Sequence, residues 1–268
     1  MAREHEGSNA LNGRVAIVTD AGRGIGRAMA LGLVRAGIQV VATAARERAE
    51  IDSVAAEAGK DLVLPLLADV TREADARRVV AATLERFGRL DILVNNAGRG
   101  MKYVGDSFMT HPTRFWEVDP DTWRMVIDTN VNGPFLLARA AVPHMLQAGW
   151  GRIVNVSISH STMRRAGFSP YGPSKAALAS ETLIWAHDLY GTRITVNALL
   201  PGGATLTGMI PDAFPESARG RLLDSDHGAA AALAGLEHSG CDLRLPGHRQ
   251  SVGERQSSRG DGRRRLGQ

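Results

Sequence analysis

Five residues, Gly22-Arg23-Gly24-Ile25-Gly26, constrain the fold of this chain more than any other stretch. They fall between a short apolar, β-branched run, Arg14 to Thr19, and a helical pattern that continues through Ala36. Such a run reads as a buried strand. Strand, glycine turn and helix, in that order, turn backbone N–H groups and a helix N-terminus toward a phosphate. Glycines also serve ordinary tight turns. Here their place between a strand and a helix makes phosphate binding the better reading.

The alternation then repeats. Strand-like runs cover Ile38 to Thr43, Leu62 to Leu67, Leu90 to Val94, Arg152 to Ser157 and Arg193 to Leu200. Helical patterns separate them: Arg46 to Ala58, a segment capped by Thr71 and ending at Phe87, a long one from Asp121 to about Gln147, and one from the Tyr171 segment to near Gly191. Gly133-Pro134 should kink the long helix or break its hydrogen-bond ladder near Asn130. Strands alternating with helices imply a doubly wound parallel α/β sheet covered on both faces. Ligands of such sheets bind beyond the carboxyl ends of the strands. Asp69-Val70, Asn95-Asn96-Ala97-Gly98 and Pro201-Gly202 all fall at such ends. The aperiodic stretch Arg99 to Asp119 carries Tyr103, Phe108, Phe115 and Trp116, and reads equally as a loop pinned to the core or as a substrate-pocket wall.

A chain of 268 residues can bury one sizeable core. The expected organisation is an N-terminal extension over 1–12, one domain over 13–223, and a tail over 224–268. The tail is rich in Arg, Gly, Ser and His without a strand-like apolar run, so it is expected to be poorly ordered and to leave the sheet without a final strand. From Arg219 onward there are nine Arg, no Lys and six acids, so this end carries most of the net charge of +4. The rest is nearly neutral and makes no electrostatic case for nucleic acid. A lone cysteine, Cys241, excludes an internal disulfide and a cysteine-based zinc site. No run of eighteen apolar residues suggests a membrane span, and a cytoplasmic location is expected.

Tyr171-Gly172-Pro173-Ser174-Lys175 sets a phenol and an ammonium four residues apart, on one face of a helix. A free tyrosine, with a pKa of about 10, is a poor acid/base group at neutral pH. A neighbouring ammonium favours the phenolate and draws that value toward the working range. A buried tyrosine with a satisfied hydroxyl is the plainer alternative.

Taken together and in order, the glycine turn, Asp69, Asn95-Asn96-Ala97-Gly98, Asn130, the serine-rich end of strand five, Tyr171-x-x-x-Lys175 and Pro201-Gly202 resemble the short-chain dehydrogenase/reductase family from Gly13 to about Met209. The resemblance implies a Rossmann-type fold, a nicotinamide cofactor and hydride transfer to or from a carbonyl or secondary alcohol. It implies Tyr171 as proton donor or acceptor, Lys175 as the group that tunes it and holds the nicotinamide ribose, and Asn130 as holder of a relay water. It implies cofactor contacts at Gly22, Arg23, Gly24, Ile25, Gly26, Asp69, Val70, Asn96, Ala97, Gly98, Tyr171, Lys175, Pro201 and Gly202. A homodimer or homotetramer is also expected from it.

Cofactor choice follows from charge. NAD-specific proteins of this type place an acid after strand two, to bind both ribose hydroxyls. Here that turn reads Ala42-Thr43-Ala44-Ala45-Arg46. Arg23 and Arg46, with no acid in the turn, suit a 2′-phosphate, so NADP(H) is expected and NAD(H) is the alternative. Two positions in the site depart from the family pattern. Asp20 replaces the first glycine of the turn, and Ile158 stands where the family's serine lies, thirteen residues before the tyrosine. Ser157 and Ser159 flank it, and Ser159 is the chosen substitute. A dinucleotide-binding protein without turnover is the rival reading.

Overall fold

The computed structural model describes residues 11–201, 209–210, 224 and 236. Among them, six parallel strands form one sheet in the order β3-β2-β1-β4-β5-β6. They are β1 (Val15–Val18), β2 (Gln39–Ala44), β3 (Val63–Leu67), β4 (Ile92–Asn95), β5 (Gly151–Val156) and β6 (Ile194–Leu199). The helices are α1 (Gly24–Arg35), α2 (Arg48–Ala58), α3 (Glu73–Phe87), α4 (Pro120–Ile127), α5 (Gly133–Ala148), α6 (His160–Met163) and α7 (Tyr171–Asp188). Every residue of β1, β4 and β6 is buried, as expected of strands covered on both sides.

Side chains alternate between the faces and divide the core in two. Ala16, Val18, Val94 and Val154 pack with Met29 and Leu33 of α1 and Ile51 and Val54 of α2. Ile17, Leu93, Ile153 and Val196 pack with Val79 and Val80 of α3, Leu137 and Met145 of α5, and Leu189. The order reverses between β1 and β4, so the ends of those two strands flank the crevice where a dinucleotide binds.

Two local expectations are corrected. The long helix over Asp121–Gln147 is instead α4 and α5 joined by a π-helical turn, Asp128–Asn132, closed by the Gly133 N–H on the Asp128 carbonyl. One extra residue in that turn absorbs the missing N–H of Pro134 without breaking the helix. Thr71 does not cap α3, whose N-cap is Arg72. The Thr71 hydroxyl and N–H instead donate to Asp69 Oδ1, at 2.8 and 3.0 Å.

Most of the tail, and with it any final strand, lies outside the described residues. Leu236 is described, and it is buried in the core against the α1 and α2 face. Arg152 Nε donates to its carbonyl at 3.1 Å.

Candidate active site

The glycine turn closes beside the end of β4. Thr19 Oγ1 donates to the Val94 carbonyl and accepts from the N–H groups of Asn96 and Ala97, both at 2.9 Å. Asn96 Nδ2 donates to the carbonyls of Thr19 and Asp20, at 2.8 and 3.2 Å. These bonds fix the two loops that flank the crevice. Thr19 is a positioning residue absent from the sequence-based set, although its place at the end of β1 marks it. A Cβ on Gly26 would collide with the Asp20 carbonyl oxygen, so the close approach requires glycine there. No acidic residue lies in the first turn of α1, and no side chain caps its N-terminus, which leaves its N–H groups for an anion.

Asp20 has φ of 49°, a left-handed conformation. Asp tolerates that region better than most residues, which is why the turn keeps its shape without the usual glycine. Burial pushes its carboxyl above the ordinary range, and the Arg23 guanidinium partly counters that. Arg23 Nε lies 3.8 Å from Asp20 Oδ1, and its Nη1 lies 3.8 Å from Glu50 Oε1. Arg23 therefore stands between two carboxylates, whereas Arg46 is exposed at the start of the connection to α2. Asp69 and Val70 line a small cavity of about 10 Å³, room for about one water, with Thr43, Ala76, Val79 and Leu137.

The catalytic candidates meet at the first turns of α7. Lys175 is buried, and its Nζ donates to the Val156 carbonyl at 2.8 Å. Asn130, in the π-helical turn, accepts from the Arg99 N–H at 2.7 Å and donates to the Arg99 carbonyl at 3.0 Å. Its Nδ2 also donates to Ser174 Oγ at 2.9 Å, and Ser174 Oγ donates to the Tyr171 carbonyl at 2.7 Å. Ser174 thus ties Asn130 to α7 and is a second residue missed from sequence; its spacing of three from Tyr171 puts it on the same helix face. A Cβ on Gly98 would lie 3.4 Å from Asn130 Oδ1 and 3.6 Å from Lys175 Nζ, so the Asn95-Asn96-Ala97-Gly98 turn closes directly on this pair.

Burial dominates the electrostatics of the pair. It pushes the Tyr171 phenol up to about 12 and the Lys175 ammonium down to about 8. The expected lowering of the tyrosine by its lysine is therefore absent here, because desolvation disfavours both charged forms and Nζ is turned to a carbonyl.

The end of β5 differs from expectation. Ser159 is the N-cap of α6 and accepts from the Thr162 N–H at 3.3 Å, with the hydroxyls of Ser161 and Thr162 at 3.0 and 2.9 Å. Its hydroxyl is committed to that cap rather than held out for a substrate oxygen. Ser157 Oγ is buried without a partner. Alternation places it on the α7 face with Asn155, whose Nδ2 donates to Thr182 Oγ1 at 2.9 Å. Ile158, between them, is half-buried. The Arg99–Asp119 stretch divides between its two readings. Phe108 packs edge-on against Phe168 at 5.9 Å in a small cluster that includes Met101 and Tyr171, while Phe115 and Trp116 are exposed. Pro201 is half-buried, and Gly202 lies outside the described residues.

The strand-order reversal, the glycine turn at the N-terminus of α1 and half-buried Tyr171 one turn from buried Lys175 are the features of a dinucleotide-binding oxidoreductase fold. The chain belongs to the short chain dehydrogenase family, whose model matches residues 14–217, and it is an NAD(P)-dependent oxidoreductase. It is 35% identical over 195 residues to a 3-oxoacyl-[acyl-carrier-protein] reductase of Synechocystis, covering 72% of this chain and 75% of the relative. It is 40% identical over 192 residues to the 2-(R)-hydroxypropyl-CoM dehydrogenase of Xanthobacter autotrophicus, covering 70% of this chain and 74% of the relative. Among solved structures, a 3-ketoacyl-(acyl-carrier-protein) reductase from Brucella melitensis complexed with NADH superposes with a TM-score of 0.73 at 34% identity, covering 84% of this chain and 92% of that one. A metagenomic short-chain oxidoreductase in complex with NADP gives 0.70 at 28% identity, covering 85% and 93%.

Proposed function

We propose that the chain reduces a carbonyl, or oxidises the corresponding secondary alcohol, with NADP(H) and with Tyr171 as the acid/base group. The observation that carries this reading is half-buried Tyr171 one helical turn from buried Lys175, with the start of α7 held to the Gly98 turn through Ser174 and Asn130. The cofactor's phosphates fit the residues present, the Gly26 close approach and the uncapped N-terminus of α1. The nicotinamide supplies or accepts the hydride when bound.

In the reducing direction the Tyr171 hydroxyl gives its proton to the substrate oxygen as that carbon gains the hydride. Lys175, once turned from the Val156 carbonyl, stabilises the phenolate left behind and holds the ribose. Asn130 has both side-chain groups engaged, which leaves its main-chain carbonyl to hold a water. Pro134, four residues on, has no N–H to cap that carbonyl in the α-helical manner. With Ile158 at the serine position and Ser159 spent on a cap, the substrate oxygen gains no serine hydroxyl as a second donor beside Tyr171. Arg46 supports the NADP(H) preference. Arg23 supports it less, since two carboxylates already face it.

Exposed Trp123 on α4, Phe135 on α5 and Ile184 on α7 support assembly into a homodimer or homotetramer. Among the described residues no helix is long and apolar enough to cross a membrane, and the lone Cys241 agrees with a cytoplasmic site of action. A second reading, cofactor binding without turnover, is favoured by Ile158 and Asp20. Tyr171→Phe separates the two readings. Single-turnover hydride transfer should fall by about 10²–10⁴-fold while NADPH affinity stays within a few-fold. A Tyr171→Phe protein as fast as its parent removes Tyr171 from the mechanism.

A further inference from the structure

Two acids follow β2 closely. Glu47 is exposed at the N-cap of α2, whereas half-buried Glu50 is turned onto the glycine turn. A Cβ on Gly22 would lie 2.5 Å from Glu50 Cβ and 3.0 Å from Glu50 Oε2. The first turn of α2 therefore packs directly on the backbone of the glycine turn, and Gly22 is what admits it. From that place Glu50 Oε1 stands 3.8 Å from Arg23 Nη1, while Asp20 Oδ1 stands 3.8 Å from Arg23 Nε. Both contacts are ion pairs too long to be hydrogen bonds, so charge alone holds the exposed guanidinium. Its neighbours are engaged more tightly: Arg27 is hydrogen-bonded to Glu57, and Arg48 to Asp52 at 2.8 Å. Arg23 is thus the loosely held cation at the mouth of the turn, and Glu50 reaches it from outside the turn itself.

We propose that Glu50 is a specificity-determining residue for the cofactor, a carboxylate that holds Arg23 back from the 2′-phosphate and so narrows the preference for NADP(H) over NAD(H). This deepens the NADP(H) reading and rests on it. A phosphate monoester carries a charge of about −2, so NADP(H) gains from a free guanidinium and loses to a carboxylate beside it. NAD(H) presents a ribose hydroxyl instead, which needs no cation and can donate to a carboxylate. Glu50 therefore acts on the difference between the two cofactors, the way a repulsive group sets specificity. Asp20 differs in kind, because it lies within the turn that meets the diphosphate, which both cofactors share.

The test is calorimetric titration of the full chain with NADPH and with NADH, at low and high salt. The proteins are the parent, Glu50→Gln, Glu50→Ala, Arg23→Ala and Arg23→Ala with Glu50→Gln. Glu50→Gln should tighten NADPH by about fivefold, the upper range for one exposed ion pair, and leave NADH within about twofold of the parent. The unchanged NADH affinity shows that the turn is intact, and Glu50→Ala repeats the result without a hydrogen-bonding amide. The gain should shrink at high salt and fall below about twofold when Arg23 is already absent. Any outcome in which Glu50→Gln and Glu50→Ala fail to tighten NADPH relative to NADH overturns the proposal, as does a gain that persists in full without Arg23. A parent that binds NADH more tightly than NADPH contradicts the NADP(H) reading instead. The change in the ratio on removing Glu50 is read independently of that, so the two failures stay distinct.

Discussion

The glycine turn and the end of β5 each depart from the family pattern by one residue, and the consequences differ. In the turn, Asp20 takes the place of glycine, yet the backbone keeps φ of 49° and the Asn96 amide still holds the Asp20 carbonyl. What that loop contributes is main-chain N–H groups, and these survive a change of side chain whenever the new residue can adopt the required φ. At the end of β5 the contribution is a single hydroxyl. Ile158 removes it, and neither neighbour restores it, because Ser157 faces α7 and Ser159 caps α6. A function carried by backbone tolerates substitution; one carried by a side chain does not move one residue along a strand.

The contrast is sharpened first at Lys175, a side chain that the fold bears at a cost. Its ammonium is pushed down to about 8 by burial, from the usual value of about 10.5. Below pH 8 the folded protein holds a buried charge that the unfolded chain leaves in water, and above 10.5 neither state is charged. The stability of the parent therefore rises between those values. Lys175→Met should stabilise the cofactor-free protein at pH 7 by up to about 3 kcal/mol, the linkage equivalent of that displacement. The gain should vanish as pH climbs from 8 to 10.5. Urea denaturation at pH 7 and pH 10.5 measures both, and a gain that does not shrink with pH means that Lys175 carries no desolvation penalty.

A smaller effect is expected where cofactor choice lies with exposed side chains. Arg46→Ala should reduce the preference for NADPH over NADH by several-fold, about 1 kcal/mol, as befits a partly solvated charge contact. Arg23→Ala should change it less, since Asp20 and Glu50 already face that guanidinium. Calorimetric titration with both cofactors reads this directly. A parent protein that prefers NADH sinks the assignment.

The strands and their alternation with helices were legible because each strand is a short, largely apolar run, most of them rich in β-branched residues. The motif order then located the crevice. The junction between α4 and α5 was only half legible. Gly133-Pro134 signals trouble in the hydrogen-bond ladder, but whether the chain breaks or gains a residue in one turn depends on packing against Val70, which would meet a Cβ on Gly133 at 2.8 Å. The protonation balance of Tyr171 and Lys175 was not legible, since spacing shows that they are neighbours and says nothing of how much water surrounds them. Ser159 misled for a related reason. Nothing in Ser157-Ile158-Ser159 tells which hydroxyl will be taken by the first turn of a four-residue helix.

The most direct measurement crosses the two departures. NADPH affinity and single-turnover hydride transfer are determined for the parent, Asp20→Gly, Asp20→Asn and Ile158→Ser. Two like charges about 6 Å apart repel by roughly 3 kcal/mol at an effective dielectric of 20. Removing the Asp20 carboxylate should therefore tighten binding by up to about a hundredfold, with the hydride-transfer rate from the saturated complex unchanged. Asn should recover most of the gain, and the advantage should shrink at high salt. Ile158→Ser should do the reverse, raising the rate by about 10²-fold, the usual value of a hydrogen bond to a developing oxyanion, while affinity stays constant. If Asp20→Gly alters the rate and not the affinity, or Ile158→Ser alters the affinity and not the rate, the division between backbone-borne and side-chain-borne function is wrong for this protein.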